Sequence, residues 1–148
     1  MASQKAIETL QNRASDPITA IIARMHETLR PTRGAAVGLA EIDRERGRLS
    51  FAGVGNIAAS IVADGAYRHV VSHHGTLGHD VRKIQAFEYP WPRGATLVMH
   101  SDGLTSKWGF DPYPGLLQRD PALVAAVLYR DFQRGNDDTT VVVVREAA

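Results

Sequence analysis

Apolar residues recur at helical spacing through the first thirty positions, then in alternation and in unbroken runs to the end of the chain. Ala6, Ile7, Leu10 and Ala14 share one helical face, and Ile18, Ile21, Ile22, Met25 and Leu29 form a second stripe. Ser15-Asp16-Pro17 separates the two as a stop and restart, with Ser15 or Asp16 able to cap the second helix and Pro17 suited to its first turn. After the break at 30–34, strands are expected over 35–42, 49–54, 57–63, 66–71, 84–89 and 95–100. Asp64-Gly65 marks a tight hairpin, because a two-residue turn of this kind needs positive φ. Residues 72–82 form a loop rich in Gly and His, and 107–118 an ordered irregular segment. Asp120-Pro121 opens a third helix with Leu123, Val124, Val127, Leu128 and Phe132 turned inward; Gly135 ends it. A last strand covers 139–145. Strands clustered between helices predict an α+β chain with mostly antiparallel pairing.

At 148 residues the chain has the size of one domain able to bury a core, and a single domain over 1–148 is expected. The 17 basic and 16 acidic residues nearly cancel, and no basic block shares a helix face, which argues against a nucleic-acid partner. No apolar run approaches the ~20 residues that span a bilayer, and no secretory segment follows the N-terminus, so the expected setting is the cytoplasm, without membrane contact. The absence of cysteine excludes disulfides, thiolate metal sites and cysteine nucleophiles.

Candidate chemistry gathers at two acidic spots, each beside an apolar run. Ser101-Asp102-Gly103 follows Ala95–His100, and Asp137-Asp138-Thr139-Thr140 runs into four valines. A strand that begins or ends on an aspartate can present its carboxylate at the rim of a sheet. Two such rims brought together offer hard oxygen donors, the kind that hold Mg2+ or Mn2+. That chemistry suits a metal-dependent phosphate hydrolase.

Leu97-Val98-Met99-His100-Ser101-Asp102-Gly103-Leu104-Thr105 resembles the Ser/Thr-Asp-Gly motif of the PPM-type protein phosphatases, particularly their SpoIIE-like branch. Asn136-Asp137-Asp138-Thr139-Thr140 resembles the C-terminal acidic motif of the same family, and Phe51-Ala52-Gly53-Val54-Gly55-Asn56 resembles its mid-domain turn. The resemblance implies an antiparallel β-sandwich flanked by helices. It also implies hydrolysis of phosphoserine or phosphothreonine with two Mn2+ or Mg2+ ions, on a regulatory protein of the anti-anti-sigma kind. Asp102 and Asp137 would then be metal ligands. Gly103 would leave room for close backbone approach, and Asp138 would support the ligands or serve as an alternate one. No catalytic side chain is assigned.

The family's upstream Asp-Gly-x-Gly-His-Gly motif, whose aspartate bridges both metals, has no counterpart here. The chain is therefore expected to be the C-terminal part of the domain, N-terminally truncated, with an open sheet edge that favours self-association. A catalytically inactive regulatory or binding module is the competing expectation.

Other residues have plainer readings beside their chemical ones. His73, His74 and His79 read as a flexible polar loop before they read as a zinc cluster, because no fourth ligand stands at a suitable spacing. His100 is either a satisfied histidine at a strand end or the best candidate for a general acid. Ser101 lacks the surroundings of a nucleophile, and Gly53-Val54-Gly55 lacks those of a dinucleotide loop. Trp91 and Trp108 are expected to pack their loops, although Trp108, Phe110 and Tyr113 could line a docking surface. Arg33 reads as a solvated arginine before it reads as a phosphate contact.

Overall fold

A computed structural model describes residues 1–135 and 137–146; Asn136 of the second acidic motif lies outside the described residues. The chain divides into two compact units, 1–57 with 71–91, and 58–70 with 92–148.

The first unit holds α1 (Ala2–Arg13), α2 (Ile18–Leu29), β1 (Val37–Asp43), β2 (Arg48–Val54) and a short strand at Phe87–Pro90, labelled β5 in chain order. These three strands form one sheet in the order β1-β2-β5, with both pairings antiparallel. The stripe expected on α2 is the buried one: Ile18, Ile21, Ile22, Met25 and Leu29 join Ala52, Val54 and Leu77 in a single core. On α1 the face is rotated from expectation. Thr9 is buried while Ile7 is 56% exposed, and Thr9 loses little by burial because its hydroxyl donates to the Lys5 carbonyl at 2.8 Å. The restart between the helices also differs. Pro17 occupies the cap position of α2 without a side-chain bond, and Asp16 pairs backward with Arg13 at 3.1 Å.

The loop after residue 71 is anchored rather than flexible. The Gly78 amide donates to His26 Nδ1 at 3.0 Å, His79 Nε2 meets the Thr32 carbonyl at 2.8 Å, and Leu77 is fully buried. His73 is held through its backbone, between the Gly53 carbonyl and the Gly55 amide, by the turn noted at 51–56. The expected strand over 84–89 shrinks to Phe87–Pro90, since Ile84 and Ala86 pack directly against the helical core.

The second unit carries β3 (Ile57–Ala63, entering at its first residue), β4 (Ala66–Val70), β6 (Thr96–Ser101), a 3-10 turn at Leu116–Gln118, α3 (Pro121–Phe132) and β7 (Val141–Arg145). Its sheet runs β4-β3-β6-β7. The β3–β4 hairpin turns on Asp64 and Gly65, with φ of 50° and 75°, as the sequence pair requires. Strand β7 pairs antiparallel with β6 from His100↔Val141 to Thr96↔Arg145.

Helix α3 starts as its sequence predicts: Asp120 accepts the Ala122 amide at 2.8 Å, with Pro121 in the first turn. Its inward face consists of Val124 and Leu128, fully buried against Val62, Val98 and Phe110, with Val127 and Phe132 partly covered. Leu123, expected on that face, is 49% exposed.

Two leucines on one helix therefore separate burial from composition. Leu128→Ala should cost about 2–5 kcal/mol by leaving a cavity, and Leu123→Ala no more than about 0.5 kcal/mol. Urea denaturation of the two variants checks the contrast.

Candidate metal site

The two acidic motifs are neighbours because β6 and β7 are paired. The register that sets His100 opposite Val141 leaves Ser101-Asp102-Gly103 and Asp137–Thr140 as adjoining turns at one end of the strands. Ser101 sews them together. Its amide donates to the Thr140 carbonyl at 3.1 Å, its hydroxyl donates to the Asp138 carbonyl at 3.2 Å, and the same hydroxyl accepts the Thr140 amide at 3.0 Å. A serine hydroxyl spent in this way has no proton held by a base, which fits the structural rather than the nucleophilic reading.

Gly103 fixes how close the turns approach. A Cβ at this position would lie 2.4 Å from Thr139 Oγ1 and 2.5 Å from the Asp138 carbonyl oxygen, so only glycine fits. Beyond it, the Arg134 amide donates to the Gly103 carbonyl at 2.8 Å and the Thr105 amide to the Phe132 carbonyl at 2.9 Å. The turn is thereby fastened to the end of α3 as well.

Asp102, Asp137 and Asp138 are all exposed. Asp137 Oδ1 accepts the Asp138 amide at 2.8 Å, and the Thr139 hydroxyl donates to the Asp137 carbonyl at 3.3 Å. The donors are hard oxygens on adjoining turns, with glycine where the backbones approach, and in kind they suit Mg2+ or Mn2+. In number they are few. Among the described residues, no group of three or more His, Cys, Asp or Glu is placed to hold a metal ion.

His100 is not free to act as an acid. A carbonyl can only accept, so the 2.8 Å contact from Nδ1 to the Ser101 carbonyl places the ring proton on Nδ1. An indole N–H can only donate, so Nε2 accepts from Trp108 Nε1 at 2.9 Å. Both nitrogens are committed and the ring is neutral. Burial, and secondarily the charge of Arg134, lower its pKa against the opposing pull of the Ser101 carbonyl. Of the two readings offered for His100, the satisfied strand-end histidine is the one the geometry supports.

Trp108 belongs to an aromatic cluster. It meets Tyr67 and Phe110 edge-on at 5.9 and 5.6 Å between ring centres, and the Phe110 amide donates to the Tyr67 hydroxyl at 2.9 Å. Tyr113 is tied to α3 through a 2.7 Å bond from its hydroxyl to Asp131. Hydrogen bonds from Arg130 and then Tyr113 pull the Asp131 carboxyl down to about 2. Phe110 is buried and Trp108 and Tyr113 are half-buried, so they pack this segment. The pairing of Trp108 with His100 was not legible in the sequence, because residues eight apart across an irregular segment carry no periodic signal.

Elsewhere, Nε2 of His73 is sealed from solvent and has no hydrogen-bond partner among the described residues; its ring lies 5.7 Å from that of Phe87. Among the described residues, His73, His74 and His79 do not form a group placed to hold a metal ion.

Comparison with known proteins places this architecture. A chain solved in work on the bacterial stressosome, a modular system adapted to control secondary messenger signalling, superposes with a TM-score of 0.87 at 25% identity. That likeness covers 97% of this chain and 76% of the other. RsbX in complex with magnesium gives a TM-score of 0.77 at 20% identity, over 96% and 71% of the two chains. The catalytic domain of the serine/threonine phosphatase PstP with two manganese ions gives 0.74 at 17%, over 96% and 78%. Two antiparallel sheets with three helices in this arrangement are the PP2C-type phosphatase fold.

The family model of SpoIIE, Stage II sporulation protein E, matches residues 1–146, and the chain belongs to that family. Phosphoserine phosphatase RsbX of Bacillus subtilis (strain 168) is 26% identical over 104 residues, 69% of this chain. The match spans about half of RsbX, 52% of its length.

Two outcomes follow from the geometry. Gly103→Ala should destabilise the protein by about 1–3 kcal/mol, because the new methyl meets backbone as well as a side chain; chemical denaturation reads this directly. His100 contributes stability that is fully present above about pH 6.5, the ordinary histidine value, and is lost as pH falls through its lower folded value. The unfolded chain takes up that proton first. The urea midpoint of the wild type should therefore fall more steeply between pH 7 and pH 5 than that of His100→Asn.

Proposed function

We propose that this chain acts in a metal-dependent protein serine/threonine phosphatase that hydrolyses phosphoserine or phosphothreonine on a bacterial regulatory protein of the anti-anti-sigma kind. The observation that carries this reading is that Asp102 and Asp137 stand on adjoining turns, which Ser101 and Gly103 hold together. Asp102 and Asp137 are the metal ligands in this proposal, Asp138 a support or alternate, and Gly103 the residue that lets the turns close. Family membership supports the reaction, and the phosphoserine phosphatase named among its relatives supports the substrate class. The magnesium and manganese of the compared structures support the choice of metal.

Divalent ions, when bound, supply a water of lowered pKa and neutralise phosphoryl charge. The share of this chain is to hold those ions by two carboxylates whose backbones cannot drift apart. No side chain described here is assigned the proton that reaches the leaving oxygen. Among the described residues no helix is long and apolar enough to cross a membrane; a cytoplasmic setting is part of the proposal. Self-association is also proposed: β7 is an outer strand of its sheet, with Val142 and Val144 exposed.

A second reading, a catalytically inactive phosphatase-like module, is favoured by the small number of carboxylates gathered at the site. Hydrolysis of para-nitrophenyl phosphate with and without Mn2+ decides between the two. The first reading expects Mn2+-dependent turnover that Asp102→Asn and Asp137→Asn each lower at least about a hundred-fold, beyond the usual cost of losing an outer partner. Asp137→Asn retains an oxygen to accept the Asp138 amide, so its loss would report charge rather than turn geometry. Mn2+-dependent thermal stabilisation without turnover would support the inactive module.

A further inference from the structure

We infer that His100 is a positioning residue, which holds the Ser101 carbonyl, and through it the Asp102 turn, at a place set by the indole of Trp108. This inference rests on the reading of Asp102 as a metal ligand.

The Ser101 carbonyl is the hinge of the acidic turn. It accepts two bonds, from the Leu104 amide at 3.2 Å, which closes the turn, and from His100 Nδ1 at 2.8 Å. A carbonyl oxygen has two lone pairs, and both are therefore directed. Imidazole is a rigid ring, so an atom fixed at Nε2 fixes the direction of Nδ1. Trp108 supplies that fixed atom at 2.9 Å, and Trp108 is itself held edge-on by Tyr67 and Phe110. His100 is buried, leaving little room for another rotamer. Leu104, the other donor, is also buried and bridges to Gln133 at the end of α3. The chain of contacts Tyr67 and Phe110, Trp108, His100, Ser101 thus reaches the residue that precedes Asp102. Any change that draws the 105–113 segment away would release the acidic turn on this side while the Ser101 hydroxyl still held it on the other.

The test uses Trp108→Phe, which keeps an aromatic ring in the cluster while removing the indole N–H with part of the ring system, together with His100→Phe and His100→Asn. Asn retains a donor at the position of Nδ1. Mn2+ binding is measured by calorimetry, and amide hydrogen exchange is followed by NMR without metal. The expected result is that Trp108→Phe and His100→Phe each weaken Mn2+ binding about ten-fold, the range seen when an outer partner of a ligand is lost. His100→Asn should recover most of that loss. Exchange at Leu104 should quicken in Trp108→Phe while the Thr140 amide, held by Ser101 Oγ, keeps its wild-type rate. Unchanged Mn2+ affinity in both ring variants, no recovery with Asn, or equal acceleration of both amides overturns the inference. If the wild type takes up no Mn2+, the ligand reading fails. The exchange comparison then decides alone: a selective change at Leu104 upholds the positioning role, and its absence refutes it.

Discussion

The pairing of β6 with β7, locked at its end by the Ser101 hydroxyl, is the constraint on which the candidate site depends. Strand pairing alone brings two chain segments within a few ångströms, but a ladder can fray at its last residue, where no further rung resists opening. Here the last rung is doubled, because Ser101 bonds Thr140 through its backbone and both Asp138 and Thr140 through its side chain. Gly103 then removes the one obstacle to contact beyond the ladder. Around this frame, Asp137 accepts the Asp138 amide, a bond local to its own turn. Separating the groups that fix the turns from the groups that face solvent is how a site can carry repelling charges without loosening its frame.

The same separation explains what the sequence made legible. Elements governed by periodicity were readable: the stripe of α2, the hairpin at Asp64-Gly65, the Asp120 cap of α3 and the strands flanking both acidic motifs follow from residue spacing and turn chemistry. Departures occur where a polar side chain could satisfy itself locally. Thr9 is buried by bonding its own helix, and Asp16 prefers Arg13 to the role of cap. The shortened β5 is another case of tertiary packing outweighing a local alternation, as Ile84 and Ala86 serve the helical core instead of the sheet.

The acidic rim itself was legible as a pair of motifs, because an aspartate beside an apolar strand leaves a trace in the order of residues. Its frame was not. Nothing in the sequence distinguishes a serine that bonds across to a neighbouring turn from one that faces water, nor a histidine whose two nitrogens are both taken from one that can release a proton. Tautomer and partner are set by atoms that meet only after folding: the carbonyl of the next residue on one side and an indole eight residues away on the other. For the same reason the loop at 72–82, whose composition suggests mobility, is held by His26, Thr32 and the core position of Leu77.

How far the frame explains the carboxylates bears directly on whether they serve chemistry. Gly103 and Ser101 are accounted for by closure of the turns, so neither distinguishes an active site from a retained scaffold. Asp137 is half accounted for: its Oδ1 accepts the next amide, a role that asparagine or serine fills equally well in such turns. What the turn leaves unexplained is the charge. Asp102 and Asp138 also stand exposed on these adjoining turns, so three carboxylates share one end of the β6–β7 pair. In the proposed reading, a divalent ion held by Asp102 and Asp137 would offset the charge gathered on the two turns, and Gly103 is what lets those turns stand close.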